Sequence, residues 1–122
     1  MAPAIAMGNR VVRTASEAYP LVALDFMQIL ETADVPAGVV NILTGSHSEL
    51  ASPLADHLNL DAIWSFSSTA LSGPIEAKSA GNLKRSWVNN TLNRDWISDA
   101  GEGRDFLEAA TEVKNIWVPY GE

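Results

Sequence analysis

The chain contains no cysteine, and its 122 residues include only 8 lysines and arginines against 15 aspartates and glutamates. Without cysteine, the chain has no disulfide, no thiolate metal site and no cysteine nucleophile. The net charge of −7 argues against nucleic acid or an anionic membrane as a partner, because both are bound by clustered Lys and Arg. No apolar run approaches the ~20 residues of a membrane-spanning helix. We therefore expect a cytoplasmic protein.

The rest of the composition is typical of a globular domain. Hydrophobic residues make up 47% and charged residues 19% of the chain, and this length can bury one core. His47 and His57 are isolated imidazoles without metal-ligand spacing, so no metal site is predicted. Residues 1–7 lack the basic region and long apolar core of a signal peptide. They are typical of a helix interior, and we expect a fragment or C-terminal region of a larger protein.

Short β-branched stretches alternate with helical patterns along residues 11–88. Strands are predicted at 11–14, 39–43, 60–66 and 83–88, and helices at 21–33, 49–57 and 69–80. Apolar residues recur at helical spacing in the first of these helices, which predicts that it packs on a sheet through Leu21, Leu24, Met27 and Leu30. The alternation predicts an α/β fold with a Rossmann-like open parallel sheet and flanking helices.

The last twenty residues follow a different pattern. Residues 104–111 predict a short helix, and residues 113–118 predict a lone strand that ends at Pro119. An exposed strand edge can pair with a sheet in another domain or subunit. Trp87, Trp96 and Trp117 are interpreted as packing or interface residues, because the acidic charge does not suit a base-stacking platform.

Four segments together resemble the NAD(P)-dependent aldehyde dehydrogenase superfamily. They are residues 3–21, residues 35–45, residues 61–85 and residues 106–114, of which residues 35–45 (Val-Pro-Ala-Gly-Val-Val-Asn-Ile-Leu-Thr-Gly) are the most specific. The last segment resembles the C-terminal signature of the family, which leads into the strand used for oligomerisation. Between the third and fourth segments, where the family carries its catalytic domain, this chain has only a short stretch.

The resemblance implies three parts. Residues 1–90 correspond to a truncated, Rossmann-like cofactor domain, residues 91–102 to a linker that replaces the catalytic domain, and residues 103–122 to a helix and an oligomerisation-type strand. In that strand we expect Val113, Ile116 and Trp117 to lie at an interface. Such a unit is similar to the degenerate second half of two-unit aldehyde dehydrogenases.

The resemblance also identifies degenerate cofactor positions. In the family, a Lys and a nearby Glu contact the adenosine ribose, and Thr14 and Glu17 stand at those places. Ser67 and Ser68 match the Gly-Ser pair that binds pyrophosphate at a helix N-terminus, and Ser67 adds a Cβ where the backbone would approach phosphate. The alternatives are structural: Glu17 begins a helix, and residues 67–69 cap one. The capping interpretation is favoured at residues 67–69.

The catalytic positions are lost. The general-base Glu of the family aligns with Asn89, which cannot take up a proton at neutral pH. The nucleophilic Cys belongs to the missing segment, and the chain has no cysteine anywhere. A thiohemiacetal mechanism needs both groups. We expect this chain alone to be inactive and to bind no cofactor, whereas its parent would oxidise an aldehyde with NAD or NADP.

Three functions remain open. The first is a structural and assembly module that docks on an active aldehyde dehydrogenase unit of the same or another chain, within a homo-oligomer. The second is a residual NAD(P)-binding module that uses Glu17, Ser68 and the helix after Thr69. The third is a fragment of an active aldehyde dehydrogenase. The missing chemistry and the retained C-terminal segment favour the first.

Overall fold

The computed structural model describes residues 1–89, 92 and 94–121. Helices and strands follow one another as α1 (Ala2–Ala6), β1 (Val11–Thr14), α2 (Pro20–Thr32), β2 (Val40–Leu43), α3 (His47–Asp56), β3 (Ala62–Ser65), α4 (Thr69–Ser79), β4 (Arg85–Val88) and α5 (Arg104–Ala109). Short 3-10 turns lie at Ala80–Asn82 and Asp99–Gly101. The predicted alternation from residue 11 to residue 88 is confirmed, with most boundaries within about two residues.

The described strands form two separate parallel pairs. β1 pairs with β2, from Val11 opposite Val40 to Thr14 opposite Leu43, and β3 pairs with β4. The α/β class, the parallel strands and the flanking helices are confirmed, and the described strands form two open sheets where one open sheet was expected. Each four-residue strand pairs with one described neighbour. Just past β1, the Ala15 carbonyl is 2.7 Å from Nε2 of His47.

A small core lies between α3, α4 and β4. α3 packs along α4, and α4 packs on β4. The contact is close because the facing residues are small: Ala55, Ser72 and Ser79 are buried, together with Ile75. Lys84 is also buried, and its ammonium donates to the carbonyls of Ala55 and His57, each at 2.7 Å. A cation at this end of α3 satisfies carbonyls that lack helical partners.

α2 forms where it is predicted, but it packs differently. None of its residues is buried, and Leu21 is 70% exposed. Its half-buried side carries Ala23, Met27 and Leu30, so Met27 and Leu30 face inward as predicted, whereas Leu21 and Leu24 are exposed. In the first half of the helix the spacing of apolar residues also fits a stripe through Ala23, and the periodicity alone could not choose between the two.

No described helix combines the length and the apolar character that crossing a bilayer would require.

The C-terminal helix packs on the opposite end of the chain. α5 contacts α1, and the side-chain amide of Asn9 donates to the Ala110 carbonyl at 2.8 Å. The Arg85 guanidinium donates to the carbonyls of Ala109, at 3.3 Å, and of Thr111. Phe106 is buried. The predicted helix at residues 104–111 is therefore confirmed as α5, and it belongs to the same packed unit as the strands.

The segment after α5, residues 112–121, is exposed and has no regular secondary structure. We call it the tail. The strand expected at residues 113–118 is not formed in this structure. A strand needs the backbone of a neighbour for its hydrogen bonds, and no described residue pairs with the tail.

Candidate functional site

A hollow of ≈ 530 Å³ lies at the carboxyl ends of β1, β2 and β3. It is lined by Glu17, which follows β1, by residues 46–48 at the start of α3, and by residues 66–68, 70 and 71 around the start of α4. We call it the strand-end hollow. Ligands of open α/β sheets bind outside the carboxyl ends of the strands, and this is the place in the fold where such a site is expected.

Three of the four predicted cofactor residues meet in the strand-end hollow. Glu17, Ser67 and Ser68 all line it, although they come from two different connections. Thr14 does not. It is the last residue of β1, opposite Leu43, and it is half-buried. The fold thus brings Glu17, Ser67 and Ser68 together, whereas Thr14, which the resemblance aligns with a lysine of the family, stays within the strand.

Glu17 is already bound to another helix. Its carboxylate accepts a hydrogen bond from the backbone N–H of His47, the first residue of α3. α2 begins at Pro20 with Tyr19 as its N-cap, so Glu17 does not begin α2 as its alternative interpretation required. A carboxylate at a helix N-terminus is stabilised by the free N–H groups and the macrodipole. A ligand hydroxyl would have to share this carboxylate with α3.

The sequence marks His47 only as an isolated imidazole, whereas the structure gives it a definite place. Its backbone N–H contacts Glu17, and its ring lies 2.7 Å from the Ala15 carbonyl. The imidazole is half-buried. His47 therefore joins the start of α3 to the segment after β1, and it forms one wall of the strand-end hollow.

Ser67 and Ser68 provide a helix start without a side-chain cap. Ser68 is the N-cap residue of α4, but its hydroxyl makes no capping hydrogen bond, while Ser67 pairs its hydroxyl with that of Ser65 at 2.7 Å. The capping position is confirmed, and the capping hydrogen bond is absent. Free N–H groups in the first turn of a helix attract anions. This end of the strand-end hollow is thus suited to a phosphate or carboxylate.

Asn89, which the resemblance aligns with the family's general base, follows β4 directly. Its backbone N–H donates to the Ser65 carbonyl at 3.0 Å, which extends the pairing of β3 with β4 by one residue. The side chain is half-buried. An amide in this position can orient a polar group by hydrogen bonding, but it cannot serve as a base.

An aromatic cluster gathers beside the carboxyl ends of β3 and β4. Neighbouring rings have centroids 5.0–6.4 Å apart, in edge-on and tilted arrangements that aromatic pairs prefer. The cluster consists of Trp64, Phe66, Trp87, Trp96 and Phe106. It joins strand residues to the segment before residue 99 and to α5. Phe66 lies in both the cluster and the strand-end hollow.

Arg94 lies against this aromatic cluster. Its guanidinium carbon is 5.0 Å from the Phe106 centroid and 5.1 Å from that of Trp87, with Phe66 and Trp96 within 5.9 Å. The same guanidinium donates to the Ala100 carbonyl at 2.8 Å. Arg94 is not among the residues predicted from the sequence. The available signal was a lone arginine between Trp87 and Trp96, a pattern suited to cation–π contact.

The predicted interface residues remain uncovered in the single chain. Val113 is 86%, Ile116 83% and Trp117 91% exposed.

In the described ranges, no three His, Asp or Glu side chains come close enough together to hold a metal ion.

Comparison with known sequences identifies relatives of the first part of the chain. Residues 1–94 match the model of the aldehyde dehydrogenase family. The NADP/NAD-dependent aldehyde dehydrogenase PuuC of Escherichia coli (strain K12) is 37% identical over 90 residues, which make up 72% of this chain and 18% of PuuC. An aldehyde dehydrogenase of Aspergillus niger is 35% identical over 85 residues, 68% of this chain and 17% of the relative.

Solved structures agree with these relatives. The aldehyde dehydrogenase KauB from Pseudomonas aeruginosa matches with a TM-score of 0.66 and 33% identity, over 70% of this chain and 18% of KauB. An aldehyde dehydrogenase from Bartonella henselae matches with a TM-score of 0.58 and 30% identity, over 66% of this chain and 17% of the other. The chain spans less than a fifth of the length of each of these proteins.

Proposed function

This chain belongs to the aldehyde dehydrogenase family, and on that premise we propose that it is a structural and assembly module rather than a catalytic unit. One observation carries the proposal. α5 is held on the strands and on α1 by Phe106, Asn9 and Arg85. The tail that follows α5 is exposed, including its apolar residues Val113, Ile116 and Trp117. A firmly held helix followed by an uncovered apolar segment suits a part that joins other units.

The residues at the catalytic positions support a non-catalytic role. The chain has no cysteine to form a thiohemiacetal, and Asn89 stands where a general base is needed. The reaction of a parent enzyme would be the NAD(P)-dependent oxidation of an aldehyde to a carboxylic acid. In this proposal, the parent's active site and its cofactor belong to another unit.

The proposed partner is an active aldehyde dehydrogenase unit of the same or another chain, within a homo-oligomer. Residues 1–90 act as the truncated cofactor domain, residues 91–102 as the linker and residues 103–122 as the assembly segment. A tail with unpaired backbone groups can add a strand to a sheet edge, where main-chain hydrogen bonds give affinity and side-chain pockets give specificity. Val113, Ile116 and Trp117 are the proposed contact residues.

A mixing experiment tests this proposal. The purified chain is combined with an active aldehyde dehydrogenase from the same source, and the sizes are measured by sedimentation velocity. We expect a complex heavier than either protein, which Trp117→Glu weakens and which the control Ile97→Glu leaves unchanged, since Ile97 is 98% exposed but lies outside the tail. A failure to form the complex, or reduction of NAD by this chain alone with acetaldehyde, contradicts the proposal.

A residual nucleotide site is the second candidate. The convergence of Glu17, Ser67 and Ser68 on one hollow, beside an uncapped α4, favours it. Titration calorimetry with NAD and with NADP separates the two candidates. Micromolar binding of NAD or NADP would favour the nucleotide site over the purely structural proposal, provided that Ser68→Pro, which alters the start of α4, weakens this binding. Heats that do not exceed those of dilution would leave the structural proposal in place.

The remaining candidate is a fragment of an active aldehyde dehydrogenase. It is favoured because this chain covers only 18% of the length of PuuC and of KauB. The packing of α5 on α1, and the hydrogen bond from Arg85 of β4 to the end of α5, favour the assembly module over a simple fragment, because the segments on both sides of residues 91–102 form one packed unit. The sequence of the complete gene product decides this point.

A further inference from the structure

One edge of β1 is unpaired among the described residues. The backbone N–H groups of Val11 and Ala15 donate to the β2 side, each at 2.8 Å. Backbone groups of successive strand residues point to opposite edges, so those of Val12 and Thr14 point away from β2. No described residue bonds to them. β1 therefore offers a row of free donors and acceptors along this edge.

β3 has an equivalent edge on the side away from β4. The carbonyls of Asp61 and Ser65 accept from the β4 side, each at 3.0 Å, so the backbone groups of Ala62 and Trp64 point the other way. These groups too lack a partner among the described residues. Ala62 and Trp64 are half-buried, and a backbone group shielded from water without a partner costs free energy. This edge therefore favours a further strand over solvent.

Helix packing and handedness place the two free edges opposite each other. α3 packs along α4, so both cover one face, and right-handed connections carry the chain from β2 to β3 to β4 in one direction. α2 makes no comparable contact with either helix in the described chain, which places it on the other face and reverses the step from β1 to β2. The order is thus β2-β1 and then β3-β4. We call the region between the free edges the slot, and the slot residues are Val12, Thr14, Ala62 and Trp64.

α5 brings the tail to the amino end of the slot. Just before β1, Asn9 donates to the Ala110 carbonyl at 2.8 Å. Arg85, the first residue of β4, donates to the Ala109 carbonyl at 3.3 Å. The tail thus starts at the amino ends of the strands, between β1 and β4, and an extended segment that enters the slot from there runs parallel to all four strands.

This connection also has the usual hand of a parallel sheet. Phe106 of α5 packs on the rings of Trp64 and Trp87, with centroids 6.1 and 5.1 Å away. α5 makes no comparable contact with α3 or α4 in the described chain, so it lies on the face opposite to theirs. A chain that leaves β4, crosses this opposite face and enters the slot makes a right-handed connection, as nearly all parallel strand–helix–strand units do.

The tail has the composition of a strand that is covered on both faces. Residues 116–118 form a continuous apolar run that ends at Pro119, and Trp117 at its centre is 91% exposed. Strands of parallel sheets with two covered faces have such runs. The exposed ion pair of Glu112 and Lys114 precedes the run, so both charges stay at the entrance of the slot.

We propose that residues 115–118 close into the slot of their own chain as a parallel strand, and that the structure describes the open state. The sheet order becomes β2-β1-tail-β3-β4, the slot residues gain backbone partners, and the apolar run leaves solvent. The inference goes beyond the proposed function, because it assigns the tail a place within the free chain. A partner that takes up the tail would bind the open state.

Residue-resolved hydrogen exchange of the full chain, measured by NMR, tests the closure. We expect the amides of the slot residues to exchange about tenfold slower than in Ile116→Pro, because a closed state populated to about nine-tenths protects them to this extent. Proline lacks the N–H that a central strand needs. Arg13 and Ile63 are the internal controls, since their amides point into the existing pairs and should exchange equally in both proteins.

Tyr120→Pro is the matched control variant. Tyr120 is 98% exposed and lies beyond Pro119, so its replacement should leave the slot residues protected. Equal exchange of these residues in the wild type and in Ile116→Pro overturns the proposal. If Ile116→Pro does not fold, the wild type decides by itself: slot-residue amides that exchange as fast as those of an unstructured peptide overturn closure, and protected ones support it.

Nuclear Overhauser contacts locate the inserted strand. The amides of residues 115–118 should show contacts to both β1 and β3, and these contacts should persist when labelled chain is diluted with an excess of unlabelled chain. Contacts to only one of the two strands place the tail outside the slot and contradict the proposal. Contacts that weaken on dilution come from a second copy and contradict insertion within one chain.

These results are separable from those on the proposed function. A tail that closes into the slot but never binds an active aldehyde dehydrogenase supports the closure and contradicts the assembly role. A tail that never closes but binds the active enzyme through Trp117 does the reverse.

Discussion

Asn9 donates from its side-chain amide to the carbonyl of Ala110, 101 positions further along the chain, at 2.8 Å. The same amide donates to the Ala4 carbonyl at 3.0 Å, so one side chain joins α1 to the end of α5. The last carbonyls of a helix have no partner within it, and here Asn9 and Arg85 supply the donors. The C-terminal helix is for this reason part of the fold rather than an appendage.

Asn9→Ala tests this link. Removing two hydrogen bonds should lower the free energy of unfolding by about 1–2 kcal/mol, because each contributes about 1 kcal/mol. The Ala110 carbonyl loses its side-chain donor, whereas the Ala4 carbonyl keeps the backbone N–H of residue 9. Urea unfolding followed by circular dichroism measures the change. Asn115→Ala is the control, since the exposed Asn115 side chain has no hydrogen bond within the described part of the chain. Equal stability of the two variants would show that the Asn9 contact is unimportant.

Phe106→Ala should detach α5 from the aromatic cluster. Phe106 is buried, and its ring lies 5.1 Å from that of Trp87. Truncating a buried phenylalanine costs about 3–5 kcal/mol, so we expect the near-ultraviolet circular dichroism of the tryptophans to collapse at lower urea concentrations. Leu107→Ala is the neighbouring comparison, because Leu107 is 39% exposed and its truncation should cost less than that of the buried Phe106. A Phe106 variant as stable as the Leu107 variant would contradict the packing of α5.

Local patterns predicted the elements well and their partners poorly. β1 forms at residues 11–14 as predicted, because two adjacent valines and a threonine favour extended backbone. Glu17, however, contacts the backbone N–H of His47, 30 positions further along the chain. Nothing in the sequence around Glu17 shows that its carboxylate contacts the start of α3 rather than the start of α2. The same holds for Asn9 and Arg94, whose partners are set by the packing of distant segments.

The strand predicted in the tail shows the limit most directly. Residues 113–118 have the apolar, β-branched composition of a strand, but a strand acquires its hydrogen bonds from a neighbour. Sequence can predict the capacity to pair, while the presence of a partner is a property of the assembly. The separation of the two strand pairs could not be predicted for a similar reason. The residues of a four-residue strand do not show whether a third strand will pair with it.

Lys84→Met should destabilise the packing of α3 on α4. Methionine keeps most of the volume but removes the donor to the carbonyls of Ala55 and His57. Charged hydrogen bonds of this kind contribute about 1.5–3 kcal/mol, and we expect a loss in unfolding free energy of that size. Lys78→Met is the matched control, because Lys78 is exposed and, among the described residues, its ammonium donates only to the hydroxyl of Ser52. Thermal unfolding by calorimetry should separate the two variants, and coincident transitions would contradict a structural role for Lys84.

Arg94 should hold the segment before α5 on the aromatic cluster. Four ring centroids lie within 5.9 Å of its guanidinium carbon, and a partly desolvated cation–π contact contributes about 1–2 kcal/mol. We expect Arg94→Met to lose about this much stability and to shift tryptophan emission to longer wavelength, because water gains access to Trp87 and Trp96. The stability of Arg94→Lys should fall between those of the wild type and Arg94→Met, because lysine keeps the charge but lacks the planar guanidinium group. Arg104→Met is the control: Arg104 forms an exposed ion pair with Glu108, which contributes little. If the Arg94 and Arg104 variants show the same emission and stability, the guanidinium does not hold this segment.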